Sequence, residues 1–169
     1  PIAGRFAPGG DMRILGVSGF GGIAMRTSDA RVLWRIGGGE YRYYWGLGAV
    51  GNVDGSGMLR LGIMAEDGAL ECIDGVTGAV RWSVNLGRDI VAGSVVAGDV
   101  DGDGRDEFLA GLPDGRLVAV GERGDTTGAV EWEKRFASAV TNPIFADVDG
   151  DGKGEIVVST SDGFVRILK

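Results

Sequence analysis

This 169-residue sequence predicts an all-β fold built from about four copies of one unit, and three observations carry that prediction. First, the loop Asp99-Val-Asp101-Gly-Asp103-Gly-Arg105-Asp106-Glu107 returns 48 residues later as Asp147-Val-Asp149-Gly-Asp151-Gly-Lys153-Gly-Glu155. The same phase runs back 47 residues to Asn52-Val-Asp54-Gly-Ser56-Gly-Met58-Leu59-Arg60, and 47 more to Arg5-Phe-Ala7-Pro-Gly9-Gly10-Asp11-Met12-Arg13. Second, the apolar residues between these loops alternate with period two, which is the mark of strands. Third, the pairs Asp67-Gly68, Asp114-Gly115 and Asp162-Gly163 are again 47 and 48 apart and supply the positive φ of a tight hairpin. Four strands in 47 or 48 residues is the signature of a β-propeller. The expectation is about four blades of four antiparallel strands each, forming an incomplete or half propeller.

The blades are expected at residues 1–37, 38–86, 87–135 and 136–169. Within a blade, a strand such as 90–98 or 140–146 leads into the loop. A second strand and a third then flank the Asp-Gly turn, as in 60–65 and 69–73. A fourth ends in tryptophan, at Trp34, Trp82 and Trp132. The fourth copy stops after the strand 164–168, so its outer strand is missing, and the first copy is expected to begin on its loop with no strand before it. A closed propeller normally completes its last blade with a strand from the other terminus, which would otherwise stay an open edge. The chain therefore reads as a segment of a longer polypeptide, or as one that a second copy or another chain completes.

The loops at 99–107 and 147–155 carry acids at positions 1, 3, 5 and 9, with glycine at 4 and 6. Glycine lets the backbone curl, so that Asp99, Asp101, Asp103 and Glu107, with the carbonyl of Arg105, can surround one point. Asp147, Asp149, Asp151, Glu155 and the carbonyl of Lys153 repeat the arrangement. Four carboxylates this close repel one another unless a cation sits among them, and an all-oxygen set suits calcium. The expected cofactor is two calcium ions per chain. An EF-hand places its bidentate Glu at position 12 between helices, whereas here the last acid is at 9 between strands. In the second copy Asn52 and Ser56 replace two carboxylates and Arg60 stands at position 9; the first copy keeps almost no ligands. Arginine puts fixed positive charge where the ion would lie, so these two loops are expected to be metal-free and closed by internal hydrogen bonds or ion pairs.

The two acidic loops, each followed by an apolar strand, resemble FG-GAP or VCBS repeats, and that resemblance implies calcium-binding blades. Ala69-Leu-Glu-Cys-Ile-Asp74-Gly-Val-Thr77-Gly78-Ala-Val-Arg-Trp82 resembles the PQQ-like propeller repeat; Thr127-Gly128-Ala-Val-Glu-Trp132 repeats its turn and tryptophan, and 28–34 keeps only Trp34. This second resemblance implies that the three tryptophans dock neighbouring blades.

Composition narrows the function. A hydrophobic fraction of 44% supports a packed core, and a net charge of −7 with no basic stripe argues against nucleic acid. With no histidine the commonest general base is absent, and Cys72 sits in an apolar strand without an activating neighbour, so no catalytic residue is expected. No membrane span is expected, and calcium loops fill most readily where calcium is near millimolar, which points to an extracellular, cell-surface or periplasmic setting. Tyr41, Tyr43, Tyr44 and Trp45 form an aromatic run outside the repeat; they either grip a glycan or peptide or pack a blade boundary. The reading is a non-catalytic, calcium-stabilised scaffold for a protein or carbohydrate ligand. The alternatives are part of a propeller enzyme, a polysaccharide lyase or PQQ-like dehydrogenase with its active site elsewhere, and a half-propeller that self-assembles.

Overall fold

The structure, a computed structural model, describes residues 2–18, 22–27, 29–36, 43–87, 93–124 and 126–169. Four antiparallel sheets follow one another along the chain. Sheet one holds β1 (Ile2–Arg5), β2 (Met12–Ser18), β3 (Gly22–Thr27) and β4 (Val32–Ile36). Sheet two holds β5 (Tyr44–Gly51), β6 (Arg60–Ala65), β7 (Ala69–Asp74) and β8 (Val80–Asn85). Sheet three holds β9 (Val95–Gly98), β10 (Glu107–Gly111), β11 (Arg116–Arg123) and β12 (Thr127–Arg135). Sheet four has three strands, β13 (Ile144–Ala146), β14 (Glu155–Ser159) and β15 (Val165–Leu168). Among the described residues there is no helix, and so none long and apolar enough to cross a membrane.

Each sheet is a meander whose strands pair with their neighbours in sequence. The registers of sheets three and four superpose under the 48-residue shift: Phe108 faces Val120 and Leu109 faces Ala119, while Ile156 faces Leu168 and Val157 faces Ile167. One expectation is corrected. The first copy does have a strand ahead of its loop, since Ile2–Arg5 pairs with β2 from Ile2↔Leu15 to Arg5↔Met12. Four residues are too short to show a period of two, and the partner that makes them a strand lies across the loop. The strand expected at 140–146 is shorter: Val140 makes a single bridge to Thr160 and the ladder starts at Ile144. Pro143 between them has no N–H to donate. The start of the strand expected at 90–98 lies outside the described residues, and β9 begins at Val95.

The core lies between sheets, not within one. Leu61, Ile63 and Ile73 of sheet two pack with Phe6, Leu15 and Ile36 of sheet one. From the opposite face of sheet two, Met64, Leu70, Cys72 and Trp82 pack with Phe108, Ala110, Val118 and Val120 of sheet three. Leu109, Leu117 and Ala119 then turn the other way, onto Val140, Ile156 and Val158. Strands β6 and β10 are therefore buried on both faces, which explains their unbroken apolar runs. Burial pushes the Cys72 thiol up to about 12, helped by the charge of Glu122, which makes it an inert core residue.

Bare glycine backbone lets the sheets close on aromatic rings. A Cβ added to Gly62 would lie 2.5 Å from the Phe108 ring, one on Gly98 would lie 1.9 Å from Phe145, and one on Gly128 would lie 2.4 Å from Trp82. Trp34 is covered in the same way by Gly78, whose φ of 77° also serves the turn into β8. Substitution at these points is therefore overpacking. Gly62→Ala should destabilise the fold by about 1–3 kcal/mol, whereas Gly124→Ala, where an added Cβ meets nothing within 4 Å, should change stability by less than about 0.5 kcal/mol. Urea denaturation midpoints of the two variants check this.

Candidate metal-binding loops

Loop 99–107 joins β9 to β10 and loop 147–155 joins β13 to β14, so each is pinned at both ends by a strand pair. The glycines at positions 4 and 6 take φ of 80° and 87° in the first loop and 80° and 88° in the second. A side-chain Cβ is disfavoured in that conformation, so the curl depends on glycine. The position-1 carboxylate ties the loop shut. Asp99 accepts from the amides of Gly102 (2.7 Å) and Gly104 (2.9 Å), and Asp147 accepts from those of Gly150 (2.6 Å) and Gly152 (2.9 Å). The position-3 carboxylates accept from the amides of Asp103 and Asp151.

The acid at position 9 is the buried one. Glu107 accepts from the Val100 amide at 2.9 Å, and Glu155 from the Val148 amide at 3.0 Å, so a backbone donor at position 2 aims each carboxylate into its loop. Burial pushes the Glu107 carboxyl up to about 7; the Val100 hydrogen bond opposes the rise and the nearby charge of Asp101 adds to it.

Three carboxylates converge in each loop. Oxygens of Asp99, Asp101 and Glu107 lie within 4.8 Å of one another, as do those of Asp147, Asp149 and Glu155. Opposite ligands of one calcium ion at about 2.4 Å each are about 4.8 Å apart, so both sets fit a single hard cation. Asp103 and Asp151 stand outside these trios. Asp103 is engaged by the Arg105 guanidinium, which holds its carboxyl below the usual range, and Asp151 accepts from the Lys153 amide. Asp149 also meets the ammonium of Lys169. The spacing assigns Arg105 and Lys153 to the loops through their backbone carbonyl oxygens; the competing cations, the side chains of Arg105 and Lys169, are not part of that pattern.

The second-copy loop replaces ligand chemistry with an ion pair. Its glycines, Gly55 and Gly57, keep φ of 70° and 77°, and Asn52 accepts from the Gly57 amide at 2.8 Å as Asp99 does from Gly104. Arg60, buried at position 9, reaches Asp54 at 2.8 Å, and its other terminal nitrogen lies 3.2 Å from Asp74 without hydrogen-bond alignment. Burial works against ionisation of Asp54, but hydrogen bonds from Ser56 and the Arg60 charge hold its carboxyl below the usual range. In the first copy, Arg5 donates to the Gly10 carbonyl at 2.7 Å. Asp106, not singled out in the sequence, links neighbouring loops: it accepts from the Asn52 amide at 2.7 Å and its own amide donates to the Asn52 carbonyl at 3.2 Å.

Of the aromatic run, Tyr41 lies outside the described residues and Tyr43 is half-buried. Tyr44 is buried and its hydroxyl donates to Glu71 at 2.7 Å; Trp45 is placed in β5. Sheets two and three are further joined by Glu122, which takes the Trp82 indole N–H at 2.9 Å and the Arg81 guanidinium.

A model of the FG-GAP-like repeat matches residues 99–158, the stretch that contains both acidic loops. No curated protein matches the sequence. Among solved structures the chain is similar to BBS1N in complex with ARL6DN, with a TM-score of 0.71 and 14% identity over 93% of this chain and 42% of that one. It is similar to BamB from Moraxella catarrhalis, with a TM-score of 0.64 and 16% identity over 99% of this chain and 45% of that one. It is also similar to the V. cholerae biofilm matrix protein Bap1, with a TM-score of 0.64 and 22% identity over 99% of this chain and 26% of that one. At these identities the likeness is one of fold: the four sheets are blades of an incomplete β-propeller. The chain spans less than half the length of these structures.

The Arg60 pair generates a test. Arg60→Ala leaves Asp54 and Asp74 without their buried partner, although Asp54 keeps Arg81 at 3.4 Å. The expected loss is about 3 kcal/mol, at the lower end of the range for breaking a buried pair, read by denaturant unfolding.

Proposed function

We propose that this chain is a calcium-clamped propeller module, without catalytic machinery of its own, that serves as a scaffold for a protein or carbohydrate partner in a secreted or surface-exposed protein. The observation that carries the reading is the pair of converging carboxylate trios. Asp99, Asp101 and Glu107, and Asp147, Asp149 and Glu155, offer oxygen ligands at a spacing suited to one hard cation each. The carbonyls of Arg105 and Lys153 and the carboxylates of Asp103 and Asp151 complete the sets once Arg105 turns away from Asp103. The loops face solvent, whereas the buried position-9 carboxylates hang from the sheets, so a bound ion would tie a solvent-exposed loop to the blade core.

A scaffold role is supported by what the fold offers: four-stranded sheets linked by exposed loops, and a partner-binding precedent in the similar fold of BBS1N, whose structure is a complex with ARL6DN. Millimolar calcium outside the cytoplasm would keep sites of this openness filled. Tyr43 and Trp45 are the aromatic candidates for partner contact.

The test is calcium titration followed by thermal unfolding. Wild type should bind two ions, and each should raise Tm, because a ligand held only by the folded state stabilises it. Asp101→Ala and Asp149→Ala should each bind one ion and retain part of the calcium-dependent shift. If both variants keep the full stoichiometry and shift, the loops are not the sites.

A further inference from the structure

Three joints between neighbouring blades place a glycine at the same point, just ahead of a loop, and each fills the space beside it differently. Gly4, Gly51 and Gly98 are 47 residues apart. Leu59 of the second-copy loop lies over Gly4, and Phe145 lies over Gly98, both apolar contacts. Over Gly51 lies Asp106: a Cβ added to that glycine would be 3.0 Å from the Asp106 Cβ and 3.2 Å from its carboxylate. Bare backbone at Gly51 lets the carboxylate reach the main chain of Asn52, whose amide donates to it at 2.7 Å, while the Asp106 amide donates back to the Asn52 carbonyl at 3.2 Å.

Asn52 in turn closes the second-copy loop. Its side chain accepts from the Gly57 amide at 2.8 Å, and its carbonyl accepts from the Gly55 amide at 3.4 Å. Beside this clasp the stem of Arg105 lies against Gly55, where a Cβ would be 3.4 Å from the Arg105 Cγ. Loop 99–107 therefore grips the neighbouring loop with the two residues that precede Glu107.

Position 8 is where the two acidic loops differ. It is Asp106 in one and Gly154 in the other. Gly154 has no side chain to extend, and its backbone is packed on Phe145 of its own blade. Asp106 lies between two of the proposed ligands, the Arg105 carbonyl and the Glu107 carboxylate, so its backbone is fixed from both flanks when those two are engaged. A hydrogen bond whose partner is already ordered costs less entropy to hold, and the segment it closes opens less often.

We infer that Asp106 is a positioning residue that carries the filling of loop 99–107 into the second-copy loop, so that a loop built around the Arg60 ion pair becomes firmer when its neighbour binds calcium. The inference rests on the calcium reading of loop 99–107. Gly154 gives loop 147–155 no side chain for a matching clasp, so filling that loop leaves the second-copy loop unchanged.

The experiment measures amide hydrogen exchange by NMR at Gly55 and Gly57 of the whole chain, with calcium and after chelation, beside a calcium titration of each variant. Calcium should slow both amides about tenfold in wild type, the effect of one charge-assisted hydrogen bond held closed. Asp149→Ala should keep that slowing and Asp101→Ala should lose it. Asp106→Ala should still bind two ions yet show no slowing, and Asp106→Asn, whose amide oxygen can accept from Asn52, should recover part of it. The inference is overturned if Asp106→Ala, holding two ions, keeps the full slowing, or if wild type fills both loops without a change at Gly55 and Gly57. Equal slowing in Asp101→Ala and Asp149→Ala would also overturn it, and that comparison leaves Asp106 in place. These three results leave the calcium reading standing, whereas a wild type that binds no calcium overturns that reading and this inference together.

Discussion

The structure depends on the fit between an aromatic ring on one sheet and bare backbone on the next. Apolar burial alone would bring the sheets together at the usual spacing of side chains from both faces, but here Gly62, Gly98, Gly78 and Gly128 remove one of the two layers. Phe108, Phe145, Trp34 and Trp82 then lie directly on the neighbouring main chain. Everything else follows that contact. It sets how closely the inner strands approach, and so which loops become neighbours. It also places Asp106 of one loop within hydrogen-bond distance of Asn52 in the preceding one.

The loops show two solutions to one electrostatic problem. Each closes a tight turn with a buried group at position 9. Where that group is Arg60, the charge of Asp54 is answered within the chain. Where it is Glu107 or Glu155, the loop gathers carboxylates round one point, and burial, with a smaller push from the neighbouring acids, raises the Glu107 carboxyl. The glycine conformations, and the hydrogen bond from the position-6 amide to the position-1 side chain, are shared by both kinds. The curl of the backbone therefore does not depend on which solution is used, and the chemistry lies in the side chains at positions 1, 5 and 9.

Much of this was legible because the chain repeats itself. The 47- and 48-residue spacing located the loops and the hairpin turns, and Arg60 could be read from sequence as a substitute for external charge. What the sequence hid was contact between distant residues or competition within a loop. Ile2–Arg5 becomes a strand only through β2. Asp106 looked like one more acid in an acidic loop, yet it serves the neighbouring loop. Asp103, a candidate ligand by spacing, is paired with its neighbour Arg105, a contact that spacing does not show. Tyr44, in an aromatic run that could either grip a ligand or pack a blade boundary, turns inward and donates to the buried Glu71.

Phe145 differs from the other docking aromatics in having bare backbone on two sides, with Gly98 of sheet three and Gly154 of its own loop both closer than a Cβ could be. The ring is thus wedged between sheet three and the loop of its own blade, so any opening of sheet four from sheet three must part the ring from Gly98. The exchange of its ring signals would report the breathing of one propeller joint.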